Sequence, residues 1–200
     1  PLTALTAQLE TVALKGDSLP AEQRKLLYQR ALHNAEHLKR LTNSLAEISR
    51  LDNPEFKAQP EPMALGELTD DVDYQDGLPM TAVDASLIER ALSNLIDNAL
   101  RVTPAGGTVA VSVEQRPDGV RVQVRDSGPG VAESDQPRVF DLFYQTSKHR
   151  EHRGSSGLGL ALVRRVAELH GGIAGLQSEP GNGSTFFIDL PAIAGIAHTA

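Results

Sequence analysis

The spacing of apolar residues changes near Asn53-Pro54, and this change divides the chain into two parts. Before it, apolar residues recur at steps of three and four, the period of an amphipathic helix. After residue 62, helical stretches are mixed with stretches in which apolar and polar residues alternate, as in half-buried strands. The three prolines between residues 54 and 62 indicate a linker. We therefore expect two units, 1–53 and 63–191, followed by a tail over 192–200.

The first unit is predicted to be an antiparallel helical hairpin. Gly16-Asp17-Ser18-Leu19-Pro20 supplies the stop, turn and restart. The second helix carries a heptad pattern at Leu27, Ala31, Asn34, Leu38, Leu41, Leu45 and Ile48. Two helices alone would leave this apolar stripe in water. A second copy would cover it, so the pattern favours a homodimer built as a four-helix bundle.

His33 and His37 lie four residues apart on that second helix. Such a pair can bind a metal or carry a phosphoryl group. Neither residue is followed by an acidic residue, and no third ligand is evident. A solvated helix face is the simpler interpretation.

Composition limits the possible partners. The net charge of −7 argues against nucleic acid as the main partner. The absence of cysteine excludes disulfides and thiolate metal sites. No apolar run approaches the roughly 20 residues that cross a bilayer. A hydrophobic content of 40% is enough for a substantial core.

The second unit is predicted to be an α+β sandwich with its helices on one face of the sheet. Asp84 or Ser86 can cap a helix that ends near Arg101. A hairpin follows, with alternating valines on both sides of Pro117-Asp118-Gly119. The later elements are a helix over 158–170 and strands over 173–178 and 184–190.

The first polar cluster lies on the helix that ends near residue 101. Asn94, Asn98 and Arg101 share one stripe, at i, i+4 and i+7. Carboxamide oxygens suit Mg²⁺, and an arginine one turn away suits phosphate. An ordinary polar helix face remains the alternative interpretation of this stripe.

Two glycine-rich clusters follow. Asp126-Ser127-Gly128-Pro129-Gly130 begins where a strand ends, and its carboxylate could accept a hydrogen bond from the amino group of adenine. A simple Asp-Ser-Gly turn is the alternative. The second cluster, 154–160, opens a helix whose first amides suit phosphate. It lacks the Lys-Ser/Thr pair of a Walker loop, and no strand runs into it as in a dinucleotide fingerprint.

A polar segment of about 25 residues joins these clusters, and long segments of this kind are often lids. Its apolar anchors are Phe140, Phe143 and Tyr144. A basic run follows them, consisting of Lys148, His149, Arg150, His152 and Arg153. The run could face phosphate, or it could be a solvated loop.

In order and spacing, these clusters resemble the boxes of the ATP-binding domain of sensor histidine kinases. That domain belongs to the Bergerat-type ATPases, together with gyrase and a heat-shock chaperone. The matching segments are 94–101, 126–130, 139–144, 154–160 and 181–186. The helical hairpin likewise resembles the dimerisation and phosphotransfer domain of the same family, so the resemblance covers nearly the whole chain.

The resemblance implies a role for each position. Asn98 would coordinate Mg²⁺ with support from Asn94, Arg101 would reach phosphate, and Asp126 would select adenine. The full set of residues expected to bind ATP is Asn94, Asn98, Arg101, Asp126, Gly128, Gly130, Phe140, Tyr144, Lys148, Arg153, Gly157, Leu158, Gly159, Leu160 and Thr185.

The resemblance also implies a reaction and its partners. The γ-phosphoryl of ATP would pass to a histidine and then to an aspartate of a response regulator receiver domain. The chain would be the cytoplasmic portion of a bacterial inner-membrane sensor, with any membrane segment outside residues 1–200. Pro1-Leu2-Thr3 resembles the continuation of the acceptor motif. The acceptor histidine is therefore expected before Pro1, and the chain as given is expected to bind ATP without phosphorylating itself at the usual position.

Three other positions depart from the family pattern. The segment 71–83 is shorter than usual, Val102 stands where an aromatic often flanks adenine, and Gln145 replaces a common basic residue. A non-catalytic nucleotide-sensing or dimerisation module, a degenerate kinase, is one alternative. A gyrase-like or chaperone-like ATPase is another, but no glutamate is placed on the 94–101 stripe to activate water.

Overall fold

The computed structural model describes residues 2–15, 18–65, 73–74, 77–145 and 156–193, with only the backbone at 73–74. The helices are α1 (Leu2–Lys15), α2 (Ala21–Asp52), α3 (Ala85–Val102) and α4 (Gly159–Leu169). The strands are β1 (Glu61–Met63), β2 (Asp73–Tyr74), β3 (Thr81–Val83), β4 (Val109–Arg116), β5 (Gly119–Asp126), β6 (Ile173–Ser178) and β7 (Ser184–Pro191). No described helix is long and apolar enough to cross a bilayer.

Helices α1 and α2 form the hairpin, and α2 continues into the second unit. Asn34 Nδ2 donates to Gln8 Oε1 at 2.9 Å and joins the two helices. Near the end of α2, the side chains of Ile48 and Leu51 are buried in the main hydrophobic core. Because the C-terminal turns of α2 belong to that core, the hairpin and the second unit share one packed interface.

The second unit is built on a five-stranded sheet in the order β2-β4-β5-β7-β6. Its strand pairs are antiparallel except for β2 and β4, which are parallel. One face of the sheet presents buried valines of β5, at positions 120, 122 and 124, to the core that also contains α3 and α4. This arrangement confirms the prediction of a helical hairpin followed by an α+β sandwich.

The opposite face of the sheet carries a buried arginine. Arg121 donates to Asp189 at 2.6 and 2.7 Å through two guanidinium nitrogens. Its guanidinium carbon also lies 3.5 Å from the centroid of the Phe187 ring. The hydrogen bonds to Asp189 raise the pKa of Arg121, although desolvation opposes them. The arginine therefore covers an aromatic ring on the outer face while remaining ion-paired.

Two segments named in the sequence analysis, 54–62 and 71–83, are described only in part or contain a strand. Strand β1 begins at Glu61 and pairs with β3, so the predicted linker over 54–62 overlaps a strand. Phe56, also in that range, lies under the Arg50 guanidinium, 5.0 Å from it. The shortened segment over 71–83 falls partly outside the described residues, which resume with β2 at the edge of the sheet.

Candidate nucleotide-binding site

A cavity of about 420 Å³ lies between α2, α3, the loop after β5 and the start of α4. This volume is within the range of small-molecule sites, about 300–1,000 Å³. Its lining from the second unit includes Arg90, Ser93, Asn94, Asp97, Asn98, Arg101, Val102, Pro129, Gly130, Tyr144, Gln145, Gly157, Gly159, Leu160, Ser184 and Phe186. Its lining from α2 consists of His37, Arg40, Asn43 and Ser44.

Asp126, the last residue of β5, is 2% exposed and carries an unused acceptor. Its Oδ1 accepts a hydrogen bond from the Gly128 amide at 2.8 Å. Its Oδ2 is buried and has no hydrogen-bond partner in the described part of the chain. Burial raises the pKa of Asp126, and the amides of Gly128 and Ser184 oppose this rise. A buried acceptor of this kind suits a ligand that brings its own N–H donor.

The loop after Asp126 connects this carboxylate to the cavity. Gly130 and its neighbour Pro129 line the cavity, as does Ser184, the cross-strand partner of Asp126. A Cβ added at Gly128 would lie 2.7 Å from Asp126 Oδ1 and 3.0 Å from a methyl carbon of Val102. Glycine at position 128 therefore allows the backbone to turn close to the carboxylate.

One face of α3 supplies the largest share of the cavity wall. Asp84 begins this helix, and its Oδ1 accepts a hydrogen bond from the Leu87 amide at 3.4 Å. On the cavity side, Asn94 Nδ2 donates to the Arg90 carbonyl at 2.8 Å. The Asn94 Oδ1 atom faces Gly159, where an added Cβ would approach it to 2.8 Å. The amide of Asn94 is thus oriented by its own helix, with its oxygen towards the start of α4.

Asn98 and Arg101, one turn further along α3, are joined to each other. The Arg101 guanidinium donates a short hydrogen bond to Asn98 Oδ1. Desolvation lowers the pKa of Arg101, and Asp97 opposes this effect. The expected ligand oxygen of Asn98 therefore already accepts from a cation, and a metal ion at this oxygen would have to displace the guanidinium.

The aromatic residues of the 139–144 segment take two positions. The Tyr144 ring lines the cavity, its hydroxyl donates to Asp135 Oδ1 at 2.7 Å, and the Arg138 guanidinium lies 4.5 Å from its centroid. Phe140 instead packs edge-on against Phe186, with ring centroids 6.2 Å apart. Phe186 lines the cavity, so Phe140 supports the wall from behind.

The glycines before α4 place backbone against the cavity. Gly157 has φ +66°, and its carbonyl accepts from the Phe143 amide at 2.9 Å. Leu158 is fully buried, and α4 begins at Gly159. The first amides of a helix have no partner within it and attract anions. Gly159 and Leu160 carry these amides and line the cavity, so this end suits phosphate.

Among the expected residues that the structure describes, those that do not line the cavity are Asp126, Gly128, Phe140, Leu158 and Thr185. Lys148 and Arg153 lie outside the described residues. Thr185 pairs with Arg125 and Gln177 in the sheet, whereas its neighbours Ser184 and Phe186 line the cavity. Because side chains alternate along a strand, Thr185 is directed to the opposite face.

Sequence reasoning missed the wall contributed by α2. The sequence favours a solvated face at His37, but its Nδ1 is buried without a hydrogen-bond partner among the described residues. Desolvation lowers the pKa of His37, and the positive charges of Arg40 and His33 lower it further. The sequence does carry a signal, a polar stripe at helical spacing through positions 37, 40, 43 and 44.

The donor set at the cavity fits Mg²⁺ only together with a phosphate ligand. No group of three or more His, Cys, Asp or Glu side chains able to hold a metal occurs in the described ranges. Mg²⁺ is commonly held by one or two protein oxygens, water and substrate phosphates. The carboxamide oxygens of Asn94 and Asn98 would supply such a partial set.

Comparison with known proteins identifies the family. Residues 83–194 match the model of the histidine kinase-, DNA gyrase B- and HSP90-like ATPases, which is more than half of the chain. The chain therefore belongs to this ATPase family.

Curated relatives and solved structures agree with this assignment. Sensor protein IrlS of Burkholderia pseudomallei is 34% identical over 97% of this chain and 45% of its own length. Sensor-like histidine kinase SenX3 of Mycobacterium tuberculosis is 42% identical over 58% of this chain and 28% of its own. The structure of full-length ShkA in complex with AMPPNP matches all of this chain and 47% of ShkA, with a TM-score of 0.69 and 26% identity. The chain thus spans about half or less of each of these three proteins.

Proposed function

We propose that this chain binds Mg–ATP in the cavity and is the kinase core of a sensor histidine kinase. The observation that carries the proposal is the buried Asp126 Oδ2, which has no hydrogen-bond partner among the described residues. An adenine amino group would supply the missing donor. The nucleotide would enter beside Gly130 and Ser184, with its ring near Val102, and its phosphates would extend towards the start of α4.

The phosphate end would be held by backbone and by α3. The first amides of α4, at Gly159 and Leu160, would bind phosphate oxygens, and Arg101 would move from Asn98 to phosphate when the nucleotide binds. Asn98 would then hold Mg²⁺, with Asn94 in support. The ion, when bound, would neutralise charge on the transferring phosphoryl group. Lys148 and Arg153 would add cations from the adjoining segment.

The reaction we propose is transfer of the γ-phosphoryl group to a histidine, followed by relay to an aspartate of a response regulator. The neighbour solved with AMPPNP supports a nucleotide site in this family. The named relatives support a signalling role. The acceptor would be the histidine that the resemblance places before Pro1. The chain would act on the cytoplasmic side of a bacterial membrane, as part of a longer sensor.

We also propose a homodimer formed through the hairpin. Large apolar side chains of α1 and α2 remain exposed, including Leu2, Leu9, Leu14, Leu26, Leu32 and Leu45. Their concentration on two packed helices is typical of half a four-helix bundle.

Calorimetry with a non-hydrolysable ATP analogue and Mg²⁺ tests the nucleotide proposal. We expect saturable heat from the wild type and a large loss of affinity in Asp126→Asn, because the amide nitrogen cannot accept from adenine. Asp118→Asn, in the exposed turn between β4 and β5, is the matched control. Absence of heat from the wild type, or equal heat from Asp126→Asn, would reject the assignment.

A further inference from the structure

The cavity wall formed by α2 is not explained by an ATP-binding domain alone. His37, Arg40, Asn43 and Ser44 face the same cavity as the polar stripe of α3. These residues belong to the hairpin, whereas the expected nucleotide ligands belong to the second unit. A ligand that fills the cavity would therefore contact both units.

The position of α2 at the cavity is fixed by contacts near its C-terminal end. Arg90 of α3 donates to Glu47 of α2 at 3.1 Å. Arg165 of α4 donates to the Leu51 carbonyl at 2.9 Å and lies 2.8 Å from Asp52. Leu51 is fully buried. These polar and apolar contacts hold the end of α2 against both helices of the second unit.

These contacts define which residues of α2 and α3 lie level with each other. Arg40 lies seven residues from Glu47 on α2, and Asp97 lies seven residues from Arg90 on α3. Each distance is about 10 Å along the helix axis. Because Glu47 contacts Arg90 and both stretches line one cavity, Arg40 lies near the level of Asp97 and Asn98. That is the part of α3 expected to hold the metal ion and the terminal phosphates.

The charges in this part of the cavity suit an additional anionic group. Arg40 has no ion pair or hydrogen bond with any other residue that the structure describes, whereas Arg90 is paired with Glu47. One turn away, the buried Nδ1 of His37 has no hydrogen-bond partner within the described ranges. A cation and an imidazole nitrogen without partners on one wall are the groups that phosphate oxygens would satisfy.

We propose that Arg40, held level with Asn98 by the Glu47–Arg90 ion pair, binds the terminal phosphate of the nucleotide, with His37 beside it. The inference rests on the proposed function and adds a specificity-determining residue to the same site. Because the phosphoryl group is destined for the hairpin, the terminal phosphate faces α2. ATP then bridges the hairpin and the second unit, whereas ADP lacks the group that reaches Arg40.

The test is calorimetry of Arg40→Gln with the non-hydrolysable ATP analogue and, separately, with ADP. We expect the affinity for the analogue to fall about tenfold, because one charge-assisted hydrogen bond is lost. The affinity for ADP should change by less than about twofold. Lys39→Gln is the matched control, since it removes one positive charge from an exposed position outside the cavity. It should leave both affinities unchanged.

Equal weakening for both nucleotides, no weakening, or an equal effect of Lys39→Gln would overturn the proposal while leaving nucleotide binding intact. Absence of binding by the wild type would instead defeat the proposed function and this inference together.

The positioning role of Glu47 has its own readout. Glu47→Gln should weaken binding of the analogue more than binding of ADP. The double variant Glu47→Gln/Arg40→Gln should weaken analogue binding by less than the product of the two single fold-changes. If the fold-change in the double variant equals that product, the Glu47–Arg90 ion pair does not position Arg40.

Discussion

The Nε2 atom of His170 accepts a hydrogen bond of 2.9 Å from the backbone amide of Asp84. His170 ends α4 and Asp84 caps α3, so this bond joins the helix that carries Asn98 to the helix that follows the glycine loop. The second ring nitrogen, Nδ1, lies 2.7 Å from the Val166 carbonyl. Because Nε2 must accept, Nδ1 carries the proton and donates to that carbonyl, which fixes the neutral tautomer.

Replacing His170 should therefore loosen the junction of the two helices. His170→Phe removes the acceptor of the partly buried Asp84 amide, and we expect a loss of about 1–3 kcal/mol in the free energy of unfolding. Urea denaturation measures this loss. His170→Gln retains a side-chain oxygen that can accept, so it should lose less than His170→Phe. Equal losses would show that ring packing, and not the hydrogen bond, is what matters at this position.

Asp126→Asn should remove nucleotide affinity without lowering stability at neutral pH. Burial raises the pKa of Asp126 above the value it has in the unfolded chain, so folding favours the protonated acid. The stabilisation gained on protonation is present below the unfolded pKa and is lost as pH rises through the folded pKa. At pH 7 the wild type therefore bears the cost of a buried carboxylate, which the neutral amide avoids.

The difference in stability between Asp126→Asn and the wild type should change with pH in one direction. Without nucleotide, Asp126→Asn should be at least as stable as the wild type at pH 7. Its advantage should shrink as pH falls and Asp126 becomes protonated. Urea midpoints at successive pH values measure the difference, with Asp118→Asn as the exposed control. A variant that is less stable than the wild type at pH 7, or that gains stability relative to the wild type as pH falls, would contradict the assignment of burial as the dominant effect.

Gly157→Ala should damage both folding and the phosphate end of the site. Gly157 has φ +66°, and an added Cβ would lie 2.6 Å from the Phe143 carbonyl carbon. Gly181 also has positive φ, +90°, but an added Cβ there meets nothing within 4 Å. Gly181→Ala should therefore cost only the left-handed backbone strain, about 1–2 kcal/mol.

The difference between these two variants isolates the steric contact. We expect Gly157→Ala to lose at least about 1 kcal/mol more than Gly181→Ala, the lower end of the cost of overpacking. Thermal or urea unfolding measures both variants, and calorimetry should show weaker nucleotide binding only for Gly157→Ala. Matching losses in the two variants would mean that the Phe143 backbone yields to the new methyl group.

Arg121→Ala should destabilise the sheet. It removes two short hydrogen bonds to Asp189 and leaves that partly buried carboxylate without its cation. We expect a loss of about 2 kcal/mol, below that of a fully buried pair because Asp189 retains some solvent contact. Arg121→Lys should retain only part of the stability that Arg121→Ala loses, since an ammonium group lacks the planar pair of donors of a guanidinium. Arg125→Ala, exposed on the same strand, is the control and should change stability little.

The hairpin should be the dimer interface. Light scattering at micromolar concentration should give twice the chain mass for the wild type. Leu32, 62% exposed on α2, is the residue to change, and Leu32→Glu should shift the mass towards the monomer. Ile173→Glu introduces the same charge at an equally exposed apolar residue of the sheet and should leave the dimer intact. A monomeric wild type would reject the interface.

The sequence was most informative where function depends on local backbone. Asn94, Asn98, Asp126 and Gly157 could be singled out as candidates because amide, acid and glycine residues occur at fixed positions relative to a helix or a strand end. The polar stripe through positions 37, 40, 43 and 44 marks a polar face of α2, but it does not reveal which element that face meets. Arg40 reaches the cavity only through docking contacts with α3 and α4, and such contacts join residues far apart in sequence.

Two smaller differences have equally physical causes. Thr185, expected from the sequence to bind ATP, does not line the cavity, whereas its neighbours Ser184 and Phe186 do, because side chains alternate with a period of two along a strand. The first two residues of strand β1 fall in the predicted linker over 54–62, because the strand acquires its geometry by pairing with β3, which is distant in sequence.

The Arg121 guanidinium over Phe187 also affects which surfaces of the protein associate with other molecules. A bare phenyl ring in the middle of an open sheet face would invite contact with other molecules in solution. Covered by a paired cation, that face offers them polar groups, which strongly retain water. In the proposed dimer, self-association would then use the exposed leucines of α1 and α2 and not the sheet face.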